Sequence, residues 1–154
     1  MKKLLLFCCL LMAETVYAQN GQSADAPAVR QACLNYIDAF YRVDTTLAYA
    51  SVHPSLQKRG FYFDPKTGVY SRQLEMPFPA LVRLAKIWNR DGKEANNQSP
   101  REVQIFEIAD KTATAKVTAA WGIDYLHLVK EADRWMIVNV LWQSPPKSLN
   151  HPKL

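Results

Sequence analysis

The chain has 154 residues, 19 of them basic and 14 acidic, for a formal net charge of +5. The charges are interleaved rather than gathered into a basic block or stripe, which argues against nucleic acid as a partner. Hydrophobic residues make up 49% of the chain, enough for one sizeable core.

Residues 1–18 have the order of a secretory signal. Lys2 and Lys3 precede an apolar run from Leu4 to Ala13, and Val16-Tyr17-Ala18 predicts cleavage after Ala18. The run is too short to span a bilayer comfortably. The protein is therefore expected to be exported, periplasmic or secreted, with no membrane attachment after cleavage. Losing Lys2, Lys3 and Glu14 takes the net charge from +5 to +4. Cys8 and Cys9 leave with the signal, so the mature chain is expected to form no intramolecular disulfide. Cys33, on an apolar helical face, reads as a small buried hydrophobe rather than a nucleophile.

Residues 19–25 form a polar leader. The first helix is predicted to start near Asp25 as cap, with Pro27 in its first turn. Val29, Cys33, Tyr36, Ile37 and Phe40 recur at helical spacing on one face. Asp44 caps a second helix containing Leu47, Ala48, Tyr49 and Val52, which Pro54 is expected to end. "HPSLQKRG" (53–60) then leads into "GFYFDPKTGVYS", where aromatic-rich pieces flank turn chemistry and predict a small hairpin. Phe78, Leu81, Val82, Ala85 and Trp88 predict a third helix, with Gly92 as its stop and a loop to Pro100.

From Arg101 the period changes to two. Thr112, Thr114, Lys116 and Thr118 alternate with Ala113, Ala115, Val117 and Ala119, as in a strand with one wet and one packed face. Strands are predicted over 101–109, 112–121, 123–130 and 134–142, with a bend at Gly122. Residues 147–154 are a polar tail. Helices followed by a four-stranded meander predict an α+β fold with helices covering one face of a curved sheet, in one domain over 26–146.

Three stretches, "HPSLQKRG" (53–60), "TATAKVTAAW" (112–121) and "DYLHLVKEADRWMIVNVLW" (124–142), resemble the Putative lumazine-binding family of the nuclear transport factor 2-like superfamily, which includes ketosteroid isomerase-like proteins. The resemblance spans roughly residues 26–146. It implies a cystatin-like cone of N-terminal helices on a strongly curved antiparallel sheet, a pocket between the two layers, and a homodimer through the outer sheet face. The sequence departs from the family in placing Ala132-Asp133 where a glycine-containing turn is expected. Relatives include isomerases, dehydratases and cyclases as well as simple binders, so the fold licenses a pocket and not a reaction.

The register of the last hairpin decides which polar groups meet that pocket. A two-residue turn at Ala132-Asp133 pairs Glu131 with Arg134, sets His127 opposite Val138 and Asp124 opposite Leu141, and puts Tyr125 and His127 on the face of Trp142. A three-residue turn pairs Lys130 with Arg134 and gathers Tyr125, His127 and Asn139 on one face. Ala132 is a poor residue for the positive φ of a type I′ turn, but the family resemblance favours the shorter one.

The preferred reading is an exported protein that binds a small apolar or aromatic ligand. Tyr36, Phe40, Trp88, Trp121, Tyr125, His127 and Trp142 line its pocket. His53, with Lys58 or Arg59, either meets an anionic ligand at the mouth or marks a helix terminus, where cations favour the negative dipole end. The alternative is a cofactor-independent enzyme of proton-transfer type, an isomerase, dehydratase or cyclase, with Asp124 or His127 as base and a tyrosine as oxyanion donor. A third reading is a protein-interaction module that uses the outer sheet face. No cofactor is implied. No metal is either, since His53, His127 and His151 lack ligand-like spacing.

Overall fold

The computed structural model describes residues 23–145. The predicted signal segment, residues 19–22 of the predicted leader and the whole predicted tail over 147–154 lie outside the described residues. Helix α1 (Ala26–Tyr41) buries Val29, Cys33, Tyr36, Ile37 and Phe40, the face its 3.6-residue period marks out. Helix α2 (Thr45–Ser51) is capped by Asp44, whose side chain accepts from the Thr46 N–H. Helix α3 (Phe78–Ala85) buries Phe78, Leu81 and Ala85 against the same core.

Eight strands follow in chain order: β1 (Val52–Phe61), β2 (Phe63–Asp64), β3 (Val69–Tyr70), β4 (Leu74–Pro77), β5 (Arg101–Ile108), β6 (Thr112–Ala119), β7 (Gly122–Glu131) and β8 (Arg134–Gln143). The main sheet has six strands in the order β4-β1-β8-β7-β6-β5, with β1 and β8 parallel and the remaining neighbours antiparallel. Strands β2 and β3 form the predicted small hairpin, apart from this sheet. The β5–β8 meander also follows the sequence expectation. Alternation on β6 is as read, with Ala113, Ala115, Val117 and Ala119 buried beneath the helices.

The sheet is wider than expected. Pro54 does not lead into a loop, because the chain passes from α2 directly into β1. Proline cannot donate to a ladder and is tolerated in strands at irregularities. It sits within such an irregularity, where the pairing of β1 with β8 shifts between Val52 and Gln57. The stretch after it therefore alternates as a strand, with Leu56, Lys58 and Gly60 pointing inward.

The last hairpin has the predicted two-residue turn. Glu131 pairs with Arg134, and Ala132 and Asp133 both adopt positive φ, 45° and 59°. The pairings expected further along do not follow. The ladder shifts between His127 and Leu128, so that Leu128 meets Ile137 while His127 meets Asn139, and Val138 drops out of the pairing. One extra residue reverses the facing of everything beyond it. Asp124 accordingly lies opposite Trp142, not Leu141, and both turn inward, while Tyr125, His127 and Asn139 share the outer face. Tyr125 and His127 thus reach the arrangement expected of the longer turn, through a bulge rather than through the turn itself.

Candidate functional site

Between the helices and the sheet lies a cavity of about 470 Å³. Phe40, Trp88, Trp121 and Trp142 line it, as do Met76 and Leu84, with Tyr62 and Phe63 from the small β2–β3 side. Trp88 and Trp121 meet edge to face at 5.4 Å between centroids, and Phe40 and Trp121 meet tilted, planes 59° apart, at 5.1 Å. Such arrangements place the positive edge of one ring against the face of the next. Gly60 is required where β1 passes Trp142. A Cβ there would stand 2.1 Å from the Trp142 carbonyl oxygen and 2.3 Å from its indole ring.

The floor of the cavity is polar. Lys58 reaches it from β1 with only 6% exposure. Its Nζ donates to Asp124 Oδ2 at 3.0 Å and to the Tyr36 hydroxyl at 2.5 Å. Tyr36 in turn donates to the same Asp124 oxygen at 2.5 Å, and the Trp121 indole N–H donates to Asp124 Oδ1 at 2.9 Å. Both carboxylate oxygens are therefore engaged, and Asp124 is fully buried. The ammonium also lies 5.2 Å from the Tyr36 ring centre and 5.4 Å from that of Trp142, within cation–π range. An ammonium has three donors. Two are committed to Asp124 and Tyr36, the third has no hydrogen-bond partner among the described residues, and Lys58 itself lines the cavity.

This network fixes protonation on Tyr36. Burial, reinforced by the adjacent Asp124 charge and its hydrogen bond, pushes the phenol well above its ordinary range. Tyr36 is thus a neutral donor to Asp124 and an acceptor from Lys58. Cys33 is buried too, and burial pushes its thiol up to about 12, far from the thiolate a nucleophile requires.

Of the residues read from the sequence as lining the pocket, Phe40, Trp88, Trp121 and Trp142 do line it. Tyr36 lies beneath its floor, joined to it through Lys58. Tyr125 does not line it: the residue is 48% exposed on the opposite face of β7. His127 points the same way, exposed, with Nδ1 3.2 Å from the Asn139 amide. Both lie opposite the wet face of β6, His127 against Thr114 and Tyr125 against Lys116, along a β7 that alternates without a break. The bulge at Val138 on β8 instead turns Trp142 off their face and into the cavity. His53 is not at the mouth either. It stands at the start of β1, bonded to Ser55 at 2.6 Å and to Glu131 beside the hairpin turn at 3.3 Å. Asp124 faces inward but behind Lys58, so a ligand meets the ammonium before the carboxylate.

Lys58 is the principal residue that the sequence reading placed wrongly. The sequence sets it with His53 at the mouth, facing an anionic ligand, whereas the structure buries it on the cavity floor, paired with Asp124 among aromatic rings. The signal was present in the period-two alternation Leu56, Lys58, Gly60, masked by the proline before it. Among the described residues, no group of three or more His, Cys, Asp or Glu side chains is placed to hold a metal ion. No described helix is long and apolar enough to cross a membrane.

A helix-covered curved sheet enclosing an aromatic cavity defines a class of small α+β cones. The family model described as Putative lumazine-binding matches residues 24–143, and the chain belongs to that family. Solved structures similar to it share the fold at low identity. One is a nuclear transport factor 2-like protein of unknown function from Methylobacillus flagellatus KT, 18% identical, with 82% of this chain and 97% of that one covered and a TM-score of 0.57. Another, from Nostoc punctiforme PCC 73102, has a cystatin-like fold, with 12% identity, 80% and 93% coverage and a TM-score of 0.53. A third is a ketosteroid isomerase-like protein from Erwinia carotovora atroseptica SCRI1043, with 14% identity, 79% and 97% coverage and a TM-score of 0.50. No curated protein sequence matches the chain significantly. The fold is that of the nuclear transport factor 2-like superfamily.

Proposed function

We propose that the protein binds a small, flat, largely apolar ligand whose oxygen accepts a hydrogen bond from Lys58. The observation that carries this reading is the uncommitted donor of a buried ammonium on the floor of a chamber walled by three tryptophans and a phenylalanine. Apolar pockets with a few convergent polar groups are the usual form of small-molecule sites. The family description, lumazine-binding, agrees with a flat carbonyl-bearing ligand.

Binding is favoured over proton-transfer catalysis by where the two nominated bases stand. A base must come within hydrogen-bond reach of the proton it removes. His127 faces away from the cavity, and Asp124 has both oxygens engaged behind Lys58. Export by cleavage after Ala18 belongs to the same proposal, as does pairing of two chains through the outer sheet face. There Tyr125 and Leu141 are cross-strand neighbours, each 48% exposed. The mass of the mature chain and its sedimentation test these two points.

The binding reading is tested with 2-naphthamide, a flat probe with one carbonyl oxygen, followed by tryptophan fluorescence. Lys58→Met is expected to weaken its binding about tenfold, as for loss of a hydrogen bond to a charged donor. The double variant Lys58→Met/Asp124→Asn, which leaves no unpaired carboxylate, is expected to show the same loss in a folded protein. Undiminished affinity in both variants would overturn the role of Lys58.

A further inference from the structure

Glu94 lines the same cavity from the loop that follows α3, and it is exposed at the mouth. Its carboxylate has no hydrogen bond or ion pair among the described residues. The neighbouring Lys93 pairs instead with Asp91 at 2.9 Å. Yet the backbone that carries Glu94 is firmly held. Buried Asn89 accepts from the N–H groups of both Glu94 and Ala95 at 3.0 Å, and its own amide donates to the carbonyls of Tyr41 at 2.8 Å and Ala95 at 3.0 Å. All the hydrogen-bonding capacity of that side chain goes into tying the loop to the end of α1. Next to it, Trp88 stacks on Tyr41 with planes 12° apart. An unpaired carboxylate is thus presented at the cavity opening by a pinned loop.

The electrostatics give this position a consequence. Lys58 and Glu94 are the charged residues lining the cavity, and the Lys58 charge is already matched by Asp124 at 3.0 Å. The floor therefore suits a neutral oxygen rather than an anion, and the surplus charge of the cavity is negative and lies at its mouth. We propose that Glu94 is a specificity-determining residue that selects ligands bearing an ammonium or other N–H donor at the end opposite the oxygen held by Lys58. The ligand class is a flat aromatic with a carbonyl at one end and a basic nitrogen at the other. This inference rests on the binding reading above.

The test compares 2-naphthamide with 6-(aminomethyl)-2-naphthamide, which adds an ammonium at the far end of the same ring system. The wild-type protein is expected to bind the amino probe about fivefold more tightly, the scale of a partly exposed ion pair. That preference should fall as salt is raised. Glu94→Gln is expected to abolish the preference, bringing the two probes to equal affinity. Equal binding of the two probes by the wild type, or a preference that survives Glu94→Gln, would overturn the selection and leave the Lys58 reading standing. If neither probe binds the wild type, the binding reading fails and the role of Glu94 fails with it.

Discussion

Asp124 and His127 stand three residues apart on the same strand, an odd spacing that sets them on opposite faces, and meet opposite environments. Asp124 is sealed beneath the cavity floor with Tyr36, Lys58 and Trp121 all donating to it. His127 lies in the open on the outer face with the Asn139 amide beside it. Both residue types serve acid–base chemistry, and the sequence offers them on equal terms. What separates them is which side of a pleated strand each occupies, and through that the dielectric around each. Inside, every polar group must find a partner or cost free energy. Outside, water supplies the partner and the group contributes little.

The comparison can be broken most forcefully at Asp124. Replacing it with Ala strands the Lys58 ammonium in a nearly dry site and is expected to cost about 3–5 kcal/mol, read as a fall in the urea midpoint. Lys58→Met/Asp124→Leu removes both charges and should recover most of that loss. If the single and double variants are equally unstable, the pair is not what holds the floor.

A smaller effect is expected from Tyr36→Phe, which removes one buried hydroxyl that both donates and accepts. The loss should be about 1–3 kcal/mol at neutral pH. It carries a pH signature. The folded phenol ionises at higher pH than the unfolded one, so the unfolded chain gives up its proton first. The contribution of Tyr36 is then complete below about pH 10 and is lost as pH rises through the folded value. Tyr36→Phe should flatten this alkaline decline in stability. An identical decline in wild type and variant would show that Tyr36 is not its source.

His127→Ala sharpens the contrast from the other side. On the exposed face it should change stability by less than about 0.5 kcal/mol and leave binding of 2-naphthamide unaltered. A tenfold loss of affinity would place His127 in the site after all.

Much of the fold was legible because its signals are local. Period 3.6 on α1 marked the buried face, and period two on β6 marked the packed alanines and valine. The Asp44 cap and the turn chemistry within "GFYFDPKTGVYS" could be read from a few residues each. The site was legible in its aromatic wall, since Phe40, Trp88, Trp121 and Trp142 are large apolar residues on inward-facing elements. Its polar floor was not. Lys58 was hidden because a proline usually closes a segment, whereas Pro54 sits in an irregular stretch of a strand that continues past it. Tyr125 and His127 were placed by their pairing with Trp142, and a β8 bulge, which carries no sequence mark as plain as a turn does, moves Trp142 to the other face.

By itself, the sequence determined the succession of helices and strands, the residues that must be buried, and the family to which the chain belongs. Hydrophobic period and turn chemistry act over a few residues and are written in their order. Only the tertiary structure decided that Lys58, Tyr36 and Asp124, from β1, α1 and β7, meet beneath one cavity. It also decided that Glu94 opens onto that cavity while His127 turns away. The meeting beneath the cavity depends on the pairing of β1 with β8 and on the ladder shift at Val138 that sets Trp142 opposite Asp124. The facing of His127 depends on the pairing of β7 with β6, and all of these join residues distant in the chain. The free energy of such contacts comes from burial and mutual hydrogen bonding, which exist only once the sheet and helices have closed on one another.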